Sequence, residues 1–196
     1  MTKRAGGRLF WDRLAADYSV NAGPSLDRLR ALVLLTEYRC EQAVFEWYTG
    51  RPNPISTAVW MVIRFAGSVF QWLWANANIP GSAAIGPGLR LPHPQNIIVG
   101  SGSRLGARCI VYQNVTIAGN NRRRFIPRPR LGDDVIVGTG VIVIGDVEVG
   151  SSTILAAGST VAKSVPPGSV LTPAPPVIRP RTDMGEAPDT PRASSS

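Results

Sequence analysis

The chain has 196 residues, 44% of them hydrophobic and 17% charged, which excludes a disordered polymer and allows one moderate domain with a smaller appendage. Its net charge of +8 raises nucleic acid as a partner, but the basic residues are spread along the chain except at Arg122, Arg123, Arg124, Arg128 and Arg130. No nucleic-acid-binding motif accompanies them, so an anionic small molecule is expected instead.

In chain order, Leu9, Phe10, Leu14, Ala15 and Tyr18 recur at helical spacing until Asn21-Ala-Gly-Pro24, which predicts a short amphipathic helix with a Gly-Pro stop. The cationic start lacks the apolar run of a signal peptide, because Trp11, Asp12, Arg13 and Asp17 interrupt it, and a cytoplasmic protein is expected. Ser25 is a candidate N-cap for a second helix running through Leu29, Leu32, Val33, Thr36 and Cys40 to about Tyr48. The segment from Ile55 to Ala75 is long enough to span a bilayer, which takes about 20 apolar residues. Arg64 at its centre would be costly there, and Ser56, Thr57, Ser68 and Gln71 dilute it further. A helix packed on its neighbours is therefore expected, with Trp60, Phe65, Phe70, Trp72 and Trp74 in a core or interface, and membrane association is not favoured.

From Ile85 an aliphatic residue returns every six positions. The anchors are Ile85, Leu91, Val99, Leu105, Val111, Ile117, Leu131, Val137, Val143, Val149, Leu155 and Val161, with Ile79 as a possible first rung. Six is neither the helical period of 3.6 nor the strand period of 2, so the segment reads as a short-repeat β solenoid with one anchor buried per rung. Gly86, Gly100, Gly106, Gly132, Gly138 and Gly150 follow anchors directly, where glycine is expected to serve turns of positive φ.

Two interruptions break the period. Leu91 to Val99 takes eight positions and brackets His93, the only histidine; Ile117 to Leu131 takes fourteen and extrudes a basic loop, residues 118–130. Such insertions are where function is commonly added. The loop arginines suit either a phosphate clamp or a solvated surface. Cys109 reads as a small buried side chain, Asp133 and Asp134 as corner residues, and no cysteine or histidine spacing suggests a metal. Beyond Pro166 the pattern fades, and prolines at 173, 175, 176 and 180 lead into a polar tail. The expected organisation is a helical region over residues 1–78, a β-helix over 79–170 and a Pro-rich, disordered tail over 171–196.

The repeat, the run Ile85-Gly-Pro-Gly-Leu-Arg-Leu-Pro-His-Pro-Gln-Asn-Ile-Ile-Val-Gly100, and the later Val137-Gly-Thr-Gly140, Gly145-Asp-Val-Glu-Val-Gly150 and Val165-Pro-Pro-Gly168 resemble the hexapeptide-repeat acyltransferases. Within them the closest resemblance is to serine acetyltransferases and their exopolysaccharide-modifying relatives. The resemblance implies a mainly β fold, a left-handed parallel β-helix preceded by helices, assembled as a homotrimer with sites at the subunit seams. It also implies acetyl-CoA as co-substrate and His93 as the general base that takes a proton from an acceptor hydroxyl. Histidine suits that task, since its reference pKa of about 6.5 lets it remove and return a proton near neutrality.

Other positions carry over residue by residue. The family's histidine-orienting aspartate falls on Asn78, its substrate-binding aspartate on Pro92, and its Arg-His pair on Pro127 and Arg128. Those departures lean away from L-serine and toward a saccharide hydroxyl as acceptor. Thr139, Gly140, Ala157 and Gly158 match small positions along the acetyl-CoA groove, and Lys163 resembles a basic residue near the phosphates. The rival readings are serine O-acetyltransferase and a catalytically silent trimeric scaffold.

Overall fold

The computed structural model describes residues 3–119 and 128–175, with side chains from residue 8 onward. The extruded loop's Arg122, Arg123, Arg124 and Pro127, and the tail beyond residue 175, lie outside the described residues.

Three helices come first: α1 (Lys3–Asn21), α2 (Leu26–Gly50) and α3 (Pro54–Ala75). Ser25 occupies the N-cap position of α2 in extended backbone, but its side chain makes no capping bond; the first turn carries Asp27, favourable at the positive end of a helix. A capping box starts α3. The Asn53 side chain accepts from the Ser56 amide, and Ser56 Oγ accepts from the Asn53 amide. Asn76, in the left-handed conformation, ends it. Trp60 stacks on Tyr48 with ring centroids 5.3 Å apart, joining α3 to α2.

Among the described residues, twelve short strands then wind a three-sided parallel solenoid. Face A stacks β2 (Ile98–Val99), β5 (Thr116–Ala118), β8 (Ile142–Ile144) and β11 (Thr160–Val161). Face B stacks β1 (Ala84–Ile85), β3 (Arg104–Leu105), β6 (Arg130–Leu131) and β9 (Glu148–Val149). Face C stacks β4 (Ile110–Val111), β7 (Ile136–Val137), β10 (Ile154–Leu155) and β12 (Val170–Leu171). All pairings are parallel and in register, anchor over anchor, as in Leu105 over Leu131 and Val137 over Leu155. The expected fading after Pro166 is corrected here, because β12 adds a further rung beneath Ile154 and Leu155.

All twelve anchors are buried, none more than 4% exposed. A second inward series sits two residues before the anchors: Leu89, Ile97, Cys109, Val115, Val135 and Val141 among others. Alternation within each short strand puts anchor and predecessor-but-one on the same side. Cys109 is one of these small buried residues, and burial pushes its thiol pKa up.

The anchor-following glycines have a different cause from the one expected. Positive φ falls instead mainly three residues after an anchor, at Gly88, Gly102, Arg108, Asn114, Asp134, Gly140, Ser152 and Gly158. Gly106 and its equivalents are needed because the next coil runs against them: a Cβ on Gly106 would lie 2.5 Å from the Gly132 carbonyl carbon, and one on Gly150 would lie 2.3 Å from the Pro167 nitrogen.

The first coil has no coil above it, so its backbone groups would be orphans. The helices satisfy them with buried polar side chains. Asp17 accepts from the Gly88 and Leu89 amides, Asn21 bonds the Leu89 carbonyl and the Leu91 amide, and Tyr38 donates to the Ala83 carbonyl. Arg39, ion-paired with Asp17 at 2.8 Å, donates to the carbonyls of Ile85 and Gly86. Gln71 brackets Ile79 at both backbone groups.

That use of polar residues inverts α3. Its inward face carries Ser56, Arg64, Gly67 and Gln71, while Phe65 is 74% and Trp72 65% exposed. Of the aromatics expected in a core or interface, only Trp60 is half-buried within the chain, while Phe65, Phe70, Trp72 and Trp74 are exposed and lie outside its core. Hydrophobic periodicity fixed which residues share a face, but the cap needed the polar face inside.

Candidate active site

The two extra residues between Leu91 and Val99 swell the corner where face C turns into face A. The turn is closed by the Gln95 amide donating to the His93 carbonyl at 2.8 Å, with Asn96 in the left-handed conformation. Pro92 and Pro94 flank His93 and restrict its backbone. The Asn96 amide donates to the Ala75 carbonyl, which ties this corner to the end of α3, and the Asn96 side-chain amide donates to Asn114 Oδ1 one coil below.

His93 is about half exposed, and its Nδ1 lies 2.8 Å from Asp27 Oδ2. An ionised carboxylate only accepts, so this bond places the proton on Nδ1 and leaves the Nε2 lone pair free. That is the tautomer a general base requires. Asp27 is held by the first turn of α2, 66 residues before the histidine in sequence, and the motif spacing gave no hint of it. Its one local sign was an acid just inside a helix start.

The partner expected for the ring, Asn78, is corrected. It pairs with Ile98 at the start of face A, and its Oδ1 accepts from Arg64 Nη2 at 2.5 Å, because α3 lowers Arg64 onto that edge. Asn78 is thereby engaged away from His93.

The expected acetyl-CoA positions fall directly below the histidine corner. Coil by coil, the C-to-A edge stacks Gln95 and Asn96, then Gln113 and Asn114, then Thr139 and Gly140, then Ala157 and Gly158. The Asn114, Gly140 and Gly158 amides donate to the Gln95, Gln113 and Thr139 carbonyls at 3.1, 3.1 and 2.9 Å. Gly140 and Gly158 face open space, where an added Cβ would meet nothing within 4 Å. His93 thus stands at the head of an edge on which the Gln95–Asn96 and Gln113–Asn114 corners give way to the small Thr139–Gly140 and Ala157–Gly158 corners.

Pro92 is beside His93 in the same corner. Lys163 and Arg128 are not: they lie on the A-to-B edge, Lys163 just after β11 and Arg128 over the Gly102 turn. One chain does not bring them to the histidine. Asp133 and Asp134 behave as corner residues, Asp133 accepting from the Ala107 amide and Asp134 holding Arg108 in a bidentate pair that lowers the aspartate's pKa. Among the described residues no cluster of histidine, cysteine, aspartate and glutamate is suited to a metal.

Comparison with known proteins bears on the fold and the repeat. Residues 128–163 match the family described as bacterial transferase hexapeptide (six repeats). A serine acetyltransferase of Synechococcus elongatus is 31% identical over 94 residues, covering 48% of this chain and 38% of that protein. The serine acetyltransferase of Staphylococcus xylosus is 27% identical over 146 residues, 71% of this chain and 64% of its own length. The matches thus span less than two thirds of these relatives. Among solved structures, the Neisseria gonorrhoeae serine acetyltransferase superposes with a TM-score of 0.68 at 24% identity, covering 91% of this chain and 67% of that one. The soybean serine acetyltransferase apoenzyme gives 0.69 at 21%, covering 88% and 70%. The structural likeness shows the fold, a left-handed β-helix preceded by helices, and the resemblance to serine acetyltransferases read from the motifs holds.

Proposed function

We propose that this serine acetyltransferase-like, hexapeptide-repeat chain transfers the acetyl group of acetyl-CoA to an acceptor hydroxyl. The observation that carries the reading is the pairing of His93 with Asp27 at the head of the small-residue edge. In the reaction, His93 Nε2 takes the hydroxyl proton as the oxygen attacks the thioester carbonyl. The tetrahedral intermediate collapses by breaking the C–S bond, and the imidazolium returns its proton to the departing thiolate, giving an O-acetyl ester and free CoA. Asp27 holds the ring and offsets the charge that develops on it. Thr139, Gly140, Ala157 and Gly158 let an extended pantetheine arm approach the backbone. Nothing in the sequence of steps requires an acetyl-enzyme or a metal.

L-Serine is the acceptor best supported, because the named relatives are serine acetyltransferases. The carboxylate that Pro92 cannot supply is available from Asp27 in the same corner, where it can meet an ammonium group as well as the imidazole. A saccharide hydroxyl is the second reading, favoured by the proline at position 92.

A homotrimer is part of this reading, and the outward side chains support it. Face A presents Ile98, Ile142 and Ile144 and face C presents Ile154 and Val170, all exposed, whereas face B presents Arg104, Arg130 and Glu148. The two apolar faces flank the His93 edge, so packing them against copies would enclose that edge and could bring a neighbour's Lys163 or Arg128 to it. The test is thiol release from acetyl-CoA with L-serine and with a panel of sugars and nucleotide sugars. Serine-dependent release is expected; release with a sugar and none with serine would move the acceptor to the second reading, and measurable acetyl-CoA binding with no release would refute both.

A further inference from the structure

The outward side of α3 is the largest feature the acetyl-transfer reading leaves unused. At about 100° per residue, Ile55, Val62, Phe65, Val69, Trp72 and Leu73 share one arc of the helix, and all are exposed. The helix has 22 residues, and the stripe from Ile55 to Leu73 runs along about 27 Å of it. Only 17% of its most apolar window is buried, unlike the core helix of a soluble protein. Contiguous apolar surface of that kind marks a binding face.

Charge says what covers it. No acidic residue occurs in α3, and its one cation, Arg64, turns inward to Glu41 and Asn78. Cations stand near both ends of the stripe. Arg51, exposed, precedes the N-terminus, and Arg30, part-buried and 3.8 Å from Asp27, lies beside the C-terminal end, where Trp74 donates to its carbonyl. Trp72 and Trp74 occupy that same end, the placement favoured by aromatic residues at a bilayer boundary. With +8 on the whole chain, an anionic surface would attract it.

We propose that α3 docks this protein on an anionic lipid bilayer as a helix lying in the interface. It does not cross, because Gln71 is bonded to both backbone groups of Ile79 and Arg64 to Glu41, so crossing would strip the cap from the first coil. The Ala75 carbonyl at the end of the docked helix holds the Asn96 amide, so the His93 corner lies at the bilayer-proximal end of the solenoid. The inference stands apart from the activity, and its readout does not involve acetyl transfer.

The test is flotation of the full chain with vesicles of phosphatidylcholine alone and of about three parts phosphatidylcholine to one of phosphatidylglycerol. The expected result is flotation with the anionic vesicles, weakened when salt rises from about 0.1 M to about 0.5 M. Phe65→Asp/Trp72→Asp should lower partitioning at least about tenfold while keeping the far-UV circular dichroism spectrum, since both side chains point to solvent. Absence of flotation by the wild-type chain would overturn the proposal, as would equal flotation of the double variant. If light scattering instead shows the double variant to have a smaller assembly mass while neither form floats, a second copy covers the face and the lipid reading is wrong.

Discussion

Asp17→Ala should be among the most destabilising single substitutions in this protein. Asp17 and Arg39 are both 1% exposed or less, and Asp17 bonds Arg39 through both oxygens, at 2.8 and 3.2 Å. Its Oδ1 also accepts from the Gly88 and Leu89 amides at 2.8 and 2.9 Å. Truncation leaves a buried guanidinium without its counter-ion, a loss of about 3–5 kcal/mol. It also orphans two amides at about 1–3 kcal/mol each. The losses overlap, so about 4 kcal/mol is a reasonable lower figure, a large part of the 5–15 kcal/mol by which domains are typically stable. Asp17→Asn keeps an acceptor for the amides and should cost about half as much.

Asp17→Ala/Arg39→Met removes both charges and should be less damaging than the two single losses summed, by about 2 kcal/mol or more. Urea unfolding followed by tryptophan fluorescence measures all four proteins. A loss below about 1 kcal/mol for Asp17→Ala, or additivity within about 0.5 kcal/mol across the cycle, would refute the idea that this pair caps the open coil.

Gly106→Ala forces a Cβ to 2.5 Å from the next coil's backbone and should cost about 1–3 kcal/mol or more, read by thermal unfolding. Gly140→Ala meets no atom but must hold φ near +70°, a strain of about 1–2 kcal/mol, so Gly140→Asn should be the mildest of the three. Glu37 lies between α2 and α3, where burial pushes its carboxyl up to about 7 despite the bond from Gln71. Its folded pKa is above its unfolded one, so its contribution is full below about pH 4.5 and is lost as pH rises through about 7. Glu37→Gln should therefore gain stability over the wild type at pH 8 relative to pH 5; a difference that does not vary with pH would contradict this. Asp27→Asn should lower kcat about 10- to 100-fold with little change in the KM for acetyl-CoA, measured by thiol release.

The repeat made the solenoid legible because burying one aliphatic side chain per rung leaves a period that nothing else produces. The second buried ladder was equally present, at Leu89, Ile97, Val115 and Val135, but its tolerance of Ala, Ser, Cys and Thr blurred it. The glycines after the anchors were visible, yet their cause was not. Close approach of the next coil is a property of stacking, which a single rung does not display. His93 was legible because its corner breaks the period. Asp27 was not, since its contact depends on where α2 lands on the solenoid. The same limit explains α3: an apolar stripe shows that residues share a face, but only the cap, through Gln71 and Arg64, decides which face turns inward.

The proposed mechanism rests on His93, held by Asp27, as the base for acetyl transfer. Its most direct test compares the wild-type chain with His93→Ala for L-serine-dependent thiol release, with acetyl-CoA binding measured by calorimetry on the same samples. Equal acetyl-CoA binding and a fall in turnover of about a hundredfold or more are expected in the variant. Undiminished turnover in His93→Ala would contradict it.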